Sequence, residues 1–265
     1  MAQATATRCG VYLYGIIRAD EEVLLQSRIS DLTSPLSEGL RGMDDGAVYC
    51  VTEGALAAVT SDVPYGKIRP QRRHLAAHQA VLKDLMQTSA VLPMSFGIVA
   101  EDAEKVREVL SLNQQVLLDQ LQRVAGNVEM SLRVRWDVPN IFEYFVNTHV
   151  QLSTLRDTLF RAGQEPTQAD KMQLGRLFEG ILNTDRAGHT AIVRRVLLPH
   201  CVEIKESDPR EEREIMNLAC LVQRDARDEF ETAVLDAAKL FDDTFCFDFS
   251  GPWPPYNFTD VQLSM

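Results

Sequence analysis

The sequence lacks the paired cysteines of a disulfide framework. Its five cysteines are scattered and odd in number, and no two of them form a CxxC pair: Cys9, Cys50, Cys201, Cys220 and Cys246. Each lies in an apolar or strand-like run, which is typical of reduced thiols in an intracellular protein. We therefore expect five buried, free thiols rather than a secreted, disulfide-stabilised fold.

The sequence also lacks long hydrophobic runs. No apolar stretch approaches the roughly 20 residues that span a bilayer. The opening residues, MAQATATR, have no apolar segment of the kind that a secretory signal requires. We therefore expect a cytoplasmic protein without a membrane partner.

Positive charge is in deficit, since the formal net charge is −11. Such a charge opposes binding to phosphate backbones and to anionic membrane surfaces, so we expect no nucleic-acid partner. The one basic cluster, RPQRR, contains Arg69, Arg72 and Arg73. Because it stands out against an acidic background, these three arginines are candidate contacts for an acidic partner, or else a solvated helix start.

Sequence motifs for catalysis are absent as well. The sequence contains no G-x-S-x-G elbow, phosphate-binding loop or dinucleotide glycine fingerprint. His74 and His78 are spaced i, i+4, and Asp44 and Asp45 are adjacent, so a metal-dependent enzyme is the alternative interpretation. We favour structural roles for all four, and we expect no catalytic, metal-binding or cofactor-binding residues and no cofactor.

The first half of the chain predicts an α+β domain. A strand (10–17), a short helix beginning near residue 20 and a hairpin (47–63) precede a helix (72–87) whose apolar stripe includes His78. An extended segment (91–100), one long helix (101–125) and a period-2 strand (128–137) follow. This order predicts a modified ferredoxin-like domain over residues 1–137.

The second half predicts a different α+β domain over residues 138–265. Apolar residues at Ile141, Phe145, Leu152 and Leu159 form a heptad-like seam, and a helix over 168–183 is expected to complete a helical hairpin. A third, short helix to residue 198 is followed by a strand–strand–helix–strand unit. Exposure of the seam would instead make it a surface for homo-oligomers, and the oligomeric state stays open.

The C-terminal stretch GPWPPYNF combines three prolines with Trp253, Tyr256 and Phe258. Alone, it resembles a polyproline ligand for a partner groove. Its position directly after a strand favours a clasp whose aromatic side chains pack on the protein. A clasp with a buried Trp253 predicts a loss of about 3 kcal/mol for Trp253→Ala.

Three motifs resemble the gas vesicle protein F/L family in order and in spacing. They are the helix and "VLPxxFG" segment AHQAVLKDLMQTSAVLPMSFGIVA, the strand VEMSLRVRWD, and the "GPWPPY" segment in FDFSGPWPPYNF. The opening YLYGII fits as well. The signature residues are Pro93, Phe96, Gly97, Trp136, Gly251, Pro252, Trp253, Pro254, Pro255 and Tyr256.

This resemblance implies a two-domain protein whose N-terminal domain is ferredoxin-like. It implies a non-enzymatic accessory or minor structural protein of gas vesicles, located at the vesicle shell and in the cytoplasm. The implied partners are the small hydrophobic shell protein, gas vesicle protein A, and other gas vesicle accessory proteins. We expect the N-terminal sheet edge marked by Pro93, or its neighbouring helix, to be the contact.

Overall fold

The computed structural model describes residues 9–21, 41–160 and 166–260. They form an α+β fold with antiparallel sheets, which confirms the predicted fold class. The chain divides into two compact units. The first comprises Met1–Glu129 together with Pro252–Met265, and the second comprises Met130–Gly251. The predicted division into domains 1–137 and 138–265 stays a prediction, and the C-terminal segment from Pro252 groups with the first unit.

The first unit is built on one sheet in the order β2-β3-β1-β4, with β5 also paired to β1. Its described strands are β1 (Cys9–Arg18), β2 (Val48–Glu53), β3 (Leu56–Pro64), β4 (Leu92–Pro93) and β5 (Val99–Ala100). β1 is antiparallel to β3, β4 and β5, and β2 is antiparallel to β3. The helix expected near residue 20 falls mostly outside the described residues, so the ferredoxin-like arrangement stays a prediction.

Among the described residues, three helices accompany this sheet: α1 (Arg72–Thr88), α2 (Ala103–Leu112) and α3 (Gln114–Val124). The prediction of a single helix over 101–125 is wrong, because the helix is interrupted at Asn113. The Asn113 side-chain amide donates to the carbonyl of Val109 at 2.7 Å, and such a local bond competes with the regular helical pattern. The apolar faces of α2 and α3 still lie inward, as their buried Val106, Leu110, Leu117 and Leu121 show.

The second unit contains a sheet in the order β7-β8-β6-β9. Its strands are β6 (Asn127–Trp136), β7 (Glu203–Ser207), β8 (Glu214–Gln223) and β9 (Phe245–Trp253). With α7 (Arg227–Ala238) between β8 and β9, the predicted strand–strand–helix–strand unit is present. β9 extends through Gly251, Pro252 and Trp253. Proline is tolerated there because β9 is an edge strand of the sheet.

Besides α7, the described helices of this unit are α4 (Ile141–Thr148), α5 (Val150–Leu159) and α6 (Gln168–Leu197). The predicted seam is interrupted at His149, whose backbone is extended, but Phe145 and Leu152 are fully buried on either side. The separate helices predicted over 168–198 are wrong, because α6 runs unbroken for 30 residues. A capping box of Thr167 and Asp170 starts α6, and its buried Leu174, Phe178, Leu182, Val193 and Leu197 hold it in the core.

The cysteines are free, as expected, but their predicted burial holds only for Cys220. Cys9 is exposed, and Cys50, Cys201 and Cys246 are partly buried. Within residues 9–21, 41–160 and 166–260, no helix combines the length and the hydropathy that a bilayer span requires.

Candidate functional site

Two buried tyrosines on β1 organise the interior of the first unit. Tyr12 and Tyr14 are two residues apart on a strand, so their side chains share one face of the sheet. Both are fully buried, and their rings meet edge to face with centroids 4.9 Å apart. Because buried hydroxyl groups require hydrogen-bond partners, each tyrosine oxygen fixes the position of the residues around it.

His78 of α1 is the partner of Tyr12. Its apolar-stripe position predicted a core histidine, and its side chain is 1% exposed. The Tyr12 hydroxyl lies 2.9 Å from Nδ1 of His78, and the Gly97 amide donates to the same hydroxyl at 3.3 Å. The rings of His78 and Tyr14 stack with centroids 5.7 Å apart, and Phe96 lies edge-on to His78 at 5.9 Å. The VLPMSFG segment is thereby held against β1 and α1.

Tyr256 brings the C-terminal segment to the same histidine. Its hydroxyl lies 3.2 Å from Nε2 of His78, and the Gln79 amide donates to it at 3.5 Å. The Gly97 amide donates to the oxygen of the Tyr12 hydroxyl, so this hydroxyl can use its own hydrogen to donate to Nδ1 of His78. We infer that Nε2–H of His78 then donates to the hydroxyl of Tyr256. This assignment requires a neutral imidazole.

Side-chain to main-chain hydrogen bonds secure the C-terminal segment along its length. The carboxyl group of the buried Glu129 accepts from the Asn257 backbone amide at 2.9 Å and from its side-chain amide at 2.6 Å. Gln120 donates to the carbonyl of Asp260 at 2.6 Å and accepts from its amide at 2.7 Å. Phe258 is 1% exposed. The segment is thus a built part of the first unit.

Burial keeps His78 and the three tyrosines of this cluster neutral. It lowers the pKa of His78 to about 4, with the Met94 carbonyl opposing the shift, and raises the pKa of Tyr256 to about 12. The pKa values of Tyr12 and Tyr14 are raised for the same reason. With both nitrogens of His78 engaged by tyrosine hydroxyls, the arrangement stabilises a fold rather than presenting a general base.

The Tyr14 hydroxyl connects the core to a tight turn at the surface. It lies 2.8 Å from Oγ of Ser61 and accepts the amide of Met43 at 2.7 Å. A Cβ on Gly42 would lie 2.2 Å from this hydroxyl oxygen, so only glycine fits at that position. Asp44 and Asp45 follow with φ of 48° and 60°, in the left-handed region that costs energy for residues other than glycine.

Asp44 projects from this turn toward the start of α1. Its Oδ1 lies 3.1 Å from Nε2 of His74 and 3.4 Å from the Arg73 guanidinium. The predicted contact residues Arg69, Arg72 and Arg73 are all exposed here. A cleft of about 380 Å³ opens beside them, lined by Met43, Asp44, Val63, Pro64, Tyr65, Gly66, Lys67, Ile68, Arg69, Gln71 and His74.

The histidines and aspartates of the metal-enzyme alternative do not form a common ligand set. His74 faces Asp44, whereas His78 uses both nitrogens on tyrosines. Across the three described ranges, no cluster of three or more His, Cys, Asp and Glu side chains could hold a metal ion.

The structure places the signature residues in two groups. Pro93 on β4 is buried opposite Gly15, Phe96 and Gly97 surround Tyr12, and the buried Pro254 and Pro255 lead to Tyr256. Trp136 is instead buried in the second unit, edge-on to Phe145 at 5.1 Å. Gly251, Pro252 and Trp253 end β9. The expected burial of Trp253 is wrong, because 43% of it is exposed.

Sequence reasoning missed two members of the cluster, Tyr14 and Glu129, whereas the packing of Phe258 on the protein was expected. The spacing of the tyrosines in YLYGII was a usable signal, since two hydroxyls on the inner face of a buried strand require polar partners. Glu129 carried no such signal, because the period-2 pattern of β6 predicted a solvent-facing side chain, yet it is 5% exposed.

The chain matches the family described as "Gas vesicle synthesis protein GvpL/GvpF" over residues 10–260. It is 28% identical to gas vesicle protein F of a Streptomyces species, covering 94% of this chain and 99% of that protein. It is 27% identical to gas vesicle protein F of Dolichospermum flosaquae, covering 95% and 98%. A crystal structure of gas vesicle protein GvpF from an Anabaena species superposes with a TM-score of 0.78 at 26% identity, covering 96% and 99%.

Proposed function

The chain belongs to the gas vesicle protein F/L family, and on that premise we propose that it is a non-enzymatic accessory protein of gas vesicle assembly. The observation that carries this proposal is the match to the gas vesicle synthesis protein family over residues 10–260. The relatives compared above are named gas vesicle protein F, which favours the F type over the L type. We assign it to the vesicle shell and to the cytoplasm in which shells assemble.

The proposed partner is the hydrophobic shell protein, gas vesicle protein A, with other gas vesicle accessory proteins as further partners. A small apolar subunit aggregates unless its apolar surface is covered before it joins the shell. An accessory protein can provide that cover through an exposed apolar surface or through a strand edge that accepts another strand.

We place the contact on the first unit, at the side of the sheet where β4 and β5 lie. Pro93 cannot donate a backbone hydrogen bond, which is compatible with an edge position. Ile98, in the loop between these strands, is 40% exposed and lines a cleft of about 260 Å³ with Pro93, Met94, Ser95, Tyr256, Thr259 and Asp260. Leu75 of α1 is 42% exposed.

The assembly role is tested by deleting the gene in its native host and examining the cells by electron microscopy, with immunogold labelling of a tagged copy. We expect vesicles to be missing or malformed and the tag to lie on shells. Normal vesicles in the deletion strain would refute an essential role in assembly.

The contact is tested with the full chain, because residues 1–137 alone lack Tyr256 and Phe258 of the first unit. We expect Ile98→Asp to reduce co-purification of gas vesicle protein A severalfold. The matched control is Leu235→Asp, at a side chain 58% exposed in the second unit. Equal retention of the shell protein by the two variants would rule out the proposed contact.

A further inference from the structure

We propose that the cleft beside α1 is a docking site for an acidic segment of a partner protein that inserts one apolar side chain. We call it the basic cleft; its lining, given above, includes Lys67 and Arg69, and the exposed Arg72 follows the lining residue Gln71 in the chain. This goes beyond the shell-protein contact proposed on the β4 and β5 side of the same unit.

The rim carries charge that the described part of the chain does not neutralise. Lys67, Arg69 and Arg72 are exposed, and none has an ion-pair partner among the described residues. Arg73, in contrast, pairs with Asp44, which also contacts His74. Because KIRPQRR contains four basic residues and no acidic one in a chain of net charge −11, an acidic partner would be attracted here while most of the surface repels it.

The floor of the basic cleft is apolar. Met43 and Val63 are 2% and 5% exposed, Ile68 is half-buried, and Tyr65 stands at the rim with 41% exposed. A volume of about 380 Å³ accommodates one large apolar side chain. A ligand that is only charged would leave the exposed parts of Ile68 and Tyr65 in water, so the cleft favours a segment with an apolar residue between carboxylates.

The walls of the basic cleft are fixed by the core. The Tyr14 hydroxyl binds the amide of Met43, and Asp44 holds His74 and Arg73 in place from a left-handed backbone conformation. A binding surface that is held in this way loses little conformational entropy when a ligand binds.

An acidic protein segment fits better than nucleic acid or an anionic membrane. Both of those are extended polyanions that would also meet the acidic remainder of a chain with net charge −11. A short segment meets only the basic rim.

The test measures fluorescence anisotropy of a labelled peptide, Glu-Glu-Leu-Glu-Glu, with the full-length protein. We expect saturable binding that weakens as salt is raised, since exposed charges are screened. Peptides with Gln in place of every Glu, or with Gly in place of Leu, should each bind at least about tenfold more weakly. A short DNA duplex and vesicles with anionic lipid serve as competing ligands.

The triple variant Lys67→Glu, Arg69→Glu, Arg72→Glu should abolish binding of the peptide. The matched control is Lys171→Glu, Arg176→Glu, Arg195→Glu, which changes the net charge equally at three exposed positions of α6. Ile68→Ser should weaken binding of the peptide that contains leucine and leave binding of the glycine peptide unchanged. Absence of peptide binding, equal binding of the leucine and glycine peptides, equal loss in both triple variants, or tighter binding of DNA or vesicles would each overturn the proposal. None of these outcomes bears on whether vesicles form in a deletion strain.

Discussion

The hydroxyl of Tyr256 lies 3.2 Å from Nε2 of His78, although the two residues are 178 positions apart in the chain. This contact joins the "GPWPPY" motif to the helix that precedes the "VLPxxFG" motif. Through His78 and Tyr12 the contact also reaches Gly97, which lies within the "VLPxxFG" motif itself. Residues from two of the family's sequence signatures are therefore parts of one buried cluster in the first unit, whereas Trp136 of the third signature is buried in the second unit.

Tyr256→Phe should destabilise the protein by about 1–2 kcal/mol, because it removes a hydroxyl and leaves Nε2 of the buried His78 without this partner. Urea denaturation measures the change. The matched control is Tyr49→Phe, which removes an exposed hydroxyl that donates to Asp62 at 2.6 Å. If both variants lose the same stability, the His78–Tyr256 contact contributes nothing beyond a surface hydrogen bond.

Phe258 rather than Trp253 should be the aromatic residue whose removal damages the fold. Phe258 is 1% exposed and Trp253 is 43% exposed. Truncation of a fully buried phenylalanine to alanine costs about 3–5 kcal/mol, and we expect less than half of that for Trp253→Ala. Thermal unfolding of the two variants side by side decides the point; an equal or larger shift for Trp253→Ala would contradict the observed burial.

Stability of the first unit should fall as the pH drops from about 6.5 to about 4. Burial lowers the pKa of His78 to about 4 in the folded protein, whereas an unburied histidine, as in the unfolded chain, has a pKa of 6.5. Above pH 6.5 the His78 side chain is neutral in both the folded and the unfolded state, and the protein has its full stability. On acidification the unfolded chain takes up the proton first, so stability is lost across this window, by up to about 3 kcal/mol.

Hydrogen exchange of peptides from α1, followed across this pH range and corrected for intrinsic exchange rates, measures this loss. In His78→Gln the window should largely disappear. The matched control is His189→Gln in the second unit, since burial lowers the pKa of His189 as well. If that control, and not His78→Gln, flattens the pH dependence of α1 peptides, our assignment is wrong.

Local pattern predicted most of the elements, because hydrophobic period directly reports which face is buried. It failed at Asn113 and His149, where side-chain bonds to nearby carbonyls divide what the apolar spacing shows as continuous helices. It failed in the opposite sense in α6, where separate helices were predicted over residues 168–198 and one helix instead runs through Gly180 and Gly188. Packing of that helix along its whole length outweighs the local cost of glycine.

The candidate site was predictable only in part, because its bonds join residues that are distant in sequence. The burial of His78 followed from its place on the apolar stripe of α1. Its hydroxyl partners did not, since no periodicity connects residue 78 with residues 12 and 256. The exposure of Trp253 was not predictable either, because the composition of GPWPPYNF does not reveal which of its aromatic side chains are buried. The rigid path set by Pro254 and Pro255 directs Tyr256 and Phe258, but not Trp253, inward.

Arg186 should determine the order of the loop before β8. Its guanidinium donates to the carbonyls of Glu214 at 2.9 Å, Glu211 at 3.1 Å and Glu212 at 2.9 Å. A lysine keeps the charge but cannot reproduce this fork, because its ammonium group is a single point of donation. We expect Arg186→Lys to cost about 1–3 kcal/mol and to accelerate hydrogen exchange in residues 208–214. The matched control, Arg195→Lys at an exposed position of the same helix, should change neither. If Arg186→Lys leaves exchange in the loop at the wild-type rate, then the loop is held by other contacts, such as the ion pair of Arg133 with the buried Glu214 at 3.0 Å.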